Sequence, residues 1–234
     1  MLNSFKKRRI FVVLLHRGGL SLGDNRERLG SEAYHWGIFI AADAFRTSSK
    51  TEGIYLDVTN GIQPNPNDSN DLNPDGDWHF RQQKMTPKQE ARLLCMILIG
   101  NMPGTVLGEH ITQGLRKLSL PNKDVKDQHC VWWTLNAVEY LQSSGWIASF
   151  DIRDLEVGGT KLADLSLQML QDGRSTKVPL LRSTVSAQHK IRSMLHECCV
   201  GGMTPYLCWL FIGWQKYSRF SKRAGSQSAL GPRQ

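Results

Sequence analysis

Three side chains in this sequence carry the chemistry of a tuned thiol. Cys130 lies near the start of DQHCVWWTLNAVEYL, His35 in YHWGIFIA and Asp57 in GIYLDVT. A cysteine in the first turn of a helix feels the positive end of the helix dipole and nearby backbone donors, which favour its thiolate. A thiolate nucleophile also needs an imidazole to hold its proton and a third group to fix the imidazole tautomer. His35 and Asp57 fill those roles if their strands pair and the helix bearing Cys130 packs at that face, at the mouth of a crevice that solvent reaches. The same residues have an ordinary reading, a cysteine filling an apolar stripe and a hydrogen-bonded histidine on a strand. Trp36, His129 and Trp133 flank the trio as candidate lining for a substrate cleft, although such rings equally suit a core because they bury so much apolar area.

The elements that must position these groups follow from the pattern of apolar residues. RIFVVLLH (9–16), YHWGIFIA (34–41) and GIYLDVT (53–59) are short, apolar and rich in branched or aromatic residues, as strands are. Alternation puts His35, Gly37 and Phe39 on one side of the second strand and Tyr34, Trp36, Ile38 and Ile40 on the other. A hairpin between the second and third strands is the simplest topology. The polar, glycine-bearing segment 21–31 reads as a loop, and GIQPNPNDSNDLNPDGD (61–77) as an exposed loop or flap. Residues 78–85 alternate like a further strand. Thr86, Pro87 and Gln89 have the form of a capped helix start, yet LLCMILI (93–99) is continuously apolar and suits a buried strand or a buried helix alike.

A modest amphipathic helix is expected at 106–118. The clearest helix is 127–141, with Asp127 as its cap and Cys130, Trp133, Thr134, Ala137, Val138 and Leu141 on one core-facing stripe. One more helix is expected at 163–171. The sequence therefore predicts an α+β fold, an antiparallel sheet packed against a Cys-bearing helix. Residues 1–175 are expected to form that domain, and 176–234 a basic, partly helical extension, its last dozen residues expected to be disordered.

Composition narrows the function classes. Of 234 residues, 40% are apolar and 21% charged, as in a globular chain. Net charge is +8, but residues 188–234 hold seven Lys or Arg against the single acid Glu197, so the body is nearly neutral. That distribution argues against nucleic acid as a partner. Five cysteines, two of them adjacent at Cys198 and Cys199, do not resemble a paired secretory framework, and the basic start is followed by too short an apolar run for an export signal. A cytoplasmic location is expected. TPYLCWLFIGW (204–214) falls short of the ~20 residues a membrane span needs. With the basic residues that follow, segment 203–223 suits either a membrane-surface contact or a packed terminal helix. No metal or cofactor is expected: phosphate-loop, His-x-x-x-His and Cys-x-x-Cys patterns are missing, and His196-Glu197-Cys198-Cys199 lacks a second ligand pair nearby.

The blocks His35-Trp36-Gly37-Ile38-Phe39-Ile40, Ile54-Tyr55-Leu56-Asp57 and His129-Cys130-Val131-Trp132-Trp133 resemble the permuted papain-like proteins. These include NlpC/P60-type peptidases, the lecithin:retinol acyltransferase group and related phospholipase/acyltransferases, in which a His-bearing strand precedes the Cys helix. Over residues 9–150 the chain also resembles, more closely, a fungal family of uncharacterised proteins that share the RIFVVLLHRGG opening, the YHWGIFI strand and a Cys-x-x-Trp helix. The resemblance implies Cys130 as nucleophile, His35 as general base and then acid, and Asp57 as the orienting residue. It implies a cysteine-dependent hydrolase or acyltransferase working through a thioester on a small-molecule, lipid or peptide acyl substrate. The fungal likeness adds, by association, a role in specialised metabolism. Two departures stand out: the third position is often histidine in the acyltransferases, and the residue before the nucleophile is often asparagine, where this chain has His129. The competing expectation is a non-catalytic scaffold or accessory protein that keeps the fold.

Overall fold

A computed structural model describes residues 8–41, 52–68, 70–102 and 108–173, and the backbone of 180–181. Five antiparallel strands make the sheet: β1 (Arg9–His16), β2 (Tyr34–Ala41), β3 (Gly53–Thr59), β4 (His79–Met85) and β5 (Leu93–Asn101). The two-residue strand β6 (Leu180–Leu181) adds to β5 in parallel, giving the order β4-β3-β2-β1-β5-β6. The fold is α+β, with the β2–β3 hairpin pairing that the sequence predicts.

β1 lies inside the sheet, and side chains from both of its faces are buried. Ile10, Val12 and Leu14 join one apolar cluster, Phe11, Val13 and Leu15 another. A strand covered on both faces reads as an unbroken apolar run rather than an alternation. β5 shows the same double burial, which resolves the ambiguity of Leu93–Ile99 in favour of a strand. The cap chemistry at Thr86 closes only a turn, in which Gln89 N–H donates to the Thr86 carbonyl at 2.8 Å. Pairing of the next segment with β1 takes precedence over the helix that Thr86 and Pro87 would have started.

Among the described residues, four α-helices accompany the sheet. α1 (Gly23–Leu29) replaces the loop expected at 21–31, because Arg26 is gripped from a distance: its Nε and Nη2 donate to Asp164 at 2.5 and 2.6 Å. α2 (Gly108–Arg116) falls within the segment expected to be helical. α3 (Cys130–Ser143) carries the predicted stripe, and Cys130, Trp133, Thr134, Ala137, Val138 and Leu141 are all buried. Its cap differs: His129, not Asp127, occupies the capping position and makes no side-chain cap bond. α4 (Ile152–Gln171) begins eleven residues ahead of the expected 163, capped by Asp151, whose carboxylate accepts the Arg153 N–H at 2.8 Å. Gly159 lets α4 approach the sheet, since a Cβ there would stand 2.9 Å from the Trp36 ring.

Side chains of α2, α3 and α4 pack with Trp36, Ile38, Ile40, Leu56 and Val58 into the larger cluster. Trp36 and Trp133 are each 0% exposed there. Trp36 also donates its Nε1–H to the Ser31 carbonyl at 3.0 Å. These two tryptophans are therefore core and do not line a cleft open to solvent. Among the described residues, no helix is long and apolar enough to cross a membrane. The segment 203–223 and the four-residue His196–Cys199 cluster lie outside the described residues.

Candidate active site

Where β2 and β3 part, the site begins. Their pairing runs from Ile38 with Leu56 to Ala41 with Gly53, while β2 starts at Tyr34 and β3 continues to Thr59. Over residues 34–37, β2 is bonded to β1 on one side, and the first residue of α3 meets its backbone. Cys130 Sγ lies 3.9 Å from the Tyr34 carbonyl oxygen and accepts a hydrogen bond from the Trp36 N–H. The helix that carries the sulfur is thus seated against the strand that carries His35.

The structure brings the three sequence-predicted residues together. His35 and Cys130 hydrogen-bond through their side chains. His35 Nε2 lies 2.6 Å from Asp57 Oδ2, so the nitrogen left for the thiol is Nδ1. Asp57 is 0% exposed and is also held by Arg81, Nε to Oδ1 at 3.0 Å and Nη2 to Oδ2 at 2.5 Å. Register explains the last contact, because Asp57 and Arg81 are directly opposite on β3 and β4. Arg81 was not foreseen; the available signal was its place in the alternating segment 78–85, whose pairing register the sequence leaves open.

Charge follows geometry. Burial alone would push the Asp57 carboxyl up, but the bonds from His35 and Arg81 outweigh it and hold it below the ordinary carboxylate range. Burial likewise opposes protonation of His35, yet its bonds to Asp57 and Cys130 raise it to about 9. For Cys130, burial favours the neutral thiol, but the His35 bond and charge, the Trp36 N–H and the more distant charge of Arg17 bring it below its ordinary value. Position adds to this, since Cys130 is the first residue of α3 and sits at the positive end of the dipole. Both shifts run in the direction of a thiolate–imidazolium pair. Cys95, the other free thiol among the described residues, has no such partner, and burial drives it well above its ordinary value.

Exposure corrects one expectation. Cys130 is 1% exposed, so its sulfur is not at an open crevice mouth; the His35 side chain, 15% exposed, is the member of the pair that water touches. His129 turns away from the pair toward Glu32, with Nε2 3.1 Å from Oε1. Its Nδ1 is buried without a partner, and burial holds the imidazole below its ordinary range despite Glu32 and Glu156. No group of three or more His, Cys, Asp or Glu among the described residues is arranged to hold a metal ion.

The profile of a family described as "Family of unknown function (DUF6914)" matches residues 7–156, which span β1 to the start of α4 and include Cys130, His35, Asp57 and Arg81. Comparisons with curated proteins and with solved structures find no match.

Proposed function

The chain belongs to this family of unknown function (DUF6914), and since membership brings no chemistry with it, we propose from the site itself a cysteine-dependent hydrolase or acyltransferase on a permuted papain-like scaffold. The observation that carries this reading is the continuous series Cys130, His35, Asp57, with the sulfur on the first residue of α3 and the imidazole bonded on both sides. Strand order supports the permuted scaffold, because the His-bearing β2 comes before the Cys-bearing α3.

In the proposed reaction, Cys130 thiolate attacks an amide or ester carbonyl. The S–C bond forms while the carbonyl π pair moves onto oxygen. Backbone N–H groups at the start of α3, which have no intrahelical acceptor, are placed to receive that oxygen. Collapse of the tetrahedral intermediate breaks the bond to the amine or alcohol, and His35 gives up its Nδ1 proton to the leaving group. Water or a second nucleophile then loses a proton to His35, attacks the thioester and releases Cys130. Asp57 keeps the ring oriented throughout, and Arg81 keeps Asp57 ionised. The substrate class is an acyl compound: a small molecule, a lipid or a peptide.

A second reading is favoured by one observation. Cys130 is only 1% exposed, as suits a non-catalytic scaffold that has kept the fold and the pair. Intact-protein mass spectrometry after exposure to a thiol-directed acylating probe separates the two. A stoichiometric adduct on Cys130 that disappears in Cys130→Ser and in His35→Ala is expected of the enzyme; a native chain that stays unmodified at Cys130 while folded supports the scaffold.

A further inference from the structure

Among the described residues on the face of the sheet that carries His35 and Asp57, one buried side-chain polar atom has no hydrogen-bond partner. Tyr55 lies two residues before Asp57 on β3, so its side chain emerges on the same face. It is 0% exposed and its hydroxyl makes no hydrogen bond. A phenylalanine would fill the same space without stranding a hydroxyl in the interior, where an unpaired donor costs stability.

The direction of the ring is defined by its neighbours. Tyr55 is paired across the hairpin with Phe39, but its hydroxyl reaches Gly37, two residues nearer His35. A Cβ at Gly37 would stand 2.6 Å from that oxygen, so any larger residue there would displace it. The ring is near enough to Asp57 and Cys130 for both to act on it electrostatically, and burial keeps the phenol protonated, hence a donor.

We propose that the Tyr55 hydroxyl is a catalytic residue, the side-chain donor to the oxyanion formed when Cys130 attacks an acyl carbonyl. This rests on the acyl-transfer reading above. The hydroxyl adds a second source of hydrogen bonding to the backbone N–H groups at the start of α3, and no proton is transferred from it. Both the hydroxyl and Sγ are withdrawn from bulk water, the setting in which one donor to a developing charge counts most. Gly37 is the residue that leaves room for it.

Two reactions of the same sulfur test the assignment. Alkylation by iodoacetamide passes through no oxyanion, whereas acylation by p-nitrophenyl acetate does. In Tyr55→Phe, acylation of Cys130, followed by p-nitrophenolate release and intact mass, is expected to slow roughly 100-fold or more. Alkylation of the same variant should stay within about twofold of the native rate, because the thiolate–imidazolium pair is untouched. Native-like acylation in Tyr55→Phe overturns the assignment alone. An equal loss of both reactions also overturns it, since the hydroxyl would then shape the thiol rather than the oxyanion. A native chain that alkylates at Cys130 but is never acylated overturns the acyl-transfer reading, and the donor role with it.

Discussion

Asp57 and Arg81 face each other across the β3–β4 pair and are joined twice, at 3.0 and 2.5 Å, with the carboxylate fully buried and the guanidinium side chain 34% exposed. Asp57 bonds His35 through the same oxygen that receives Arg81 Nη2. The arginine therefore balances a charge that would otherwise be buried with the imidazole as its only cation.

Removing that balance has a defined cost. Arg81→Met is expected to destabilise the fold by about 2 kcal/mol, below the ~3–5 kcal/mol of a fully buried pair because solvent reaches the guanidinium. Pairing it with Asp57→Asn should recover part of the loss. Urea unfolding of the two variants measures both effects.

The two described thiols should behave as opposites. Both thiols are buried, so ionisation decides: iodoacetamide at neutral pH is expected to modify Cys130, whose thiolate His35 favours, in the folded chain and to leave Cys95, whose thiol burial keeps strongly neutral, untouched until the chain unfolds. Cys130→Ser should remove the native-state adduct and Cys95→Ser should not. Peptide mapping of the labelled chain decides it.

The imidazole sets the upper pH limit. His35 is raised from 6.5 to about 9, so the stability it contributes is fully present below 6.5 and is lost as pH rises through about 9. Cys130 is lowered, so its thiolate persists below the ordinary range. In His35→Asn the alkylation-rate profile is expected to move up toward that of an ordinary thiol. A profile unchanged by the substitution would show that the helix terminus alone, not the ring, controls the sulfur.

Trp133 tests burial against substrate contact. Its ring packs on Phe80 with centroids 5.8 Å apart and is 0% exposed. Trp133→Phe should lower stability by about 1–3 kcal/mol through lost packing and leave the alkylation rate of Cys130 unchanged. Thermal unfolding and the labelling rate together check it.

What was legible in the chain follows from the length and pattern of its apolar segments. The strands at 9–16, 34–41 and 53–59 and the Cys130 stripe were readable because each is an apolar pattern of the right length. The start of α4 was hidden by Gly158 and Gly159, which weaken helix propensity, although Gly159 is required by the approach to Trp36. The α1 turn was hidden because its anchor, Asp164, lies 138 residues from Arg26. Cys130, His35 and Asp57 were found as residue types on elements that pack together. Arg81 and Tyr55 escaped, since one depends on strand register and the other on a hydroxyl whose lack of a partner exists only in three dimensions. The stripe turned Cys130 toward the core, but how little of it water reaches is a matter of depth, which a stripe does not give.

Arg81, Asp57, His35 and Cys130 form a row in which positive and negative alternate and the total is zero. Any covalent cap on the sulfur deletes the last anion and leaves the imidazole one neighbour short of those that hold its proton. The ring must then bind that proton less tightly, so the sulfur's covalent state is written into the ionisation of a histidine. A single imidazole resonance, followed by NMR across the formation and loss of an adduct, would report each event at the sulfur without touching it.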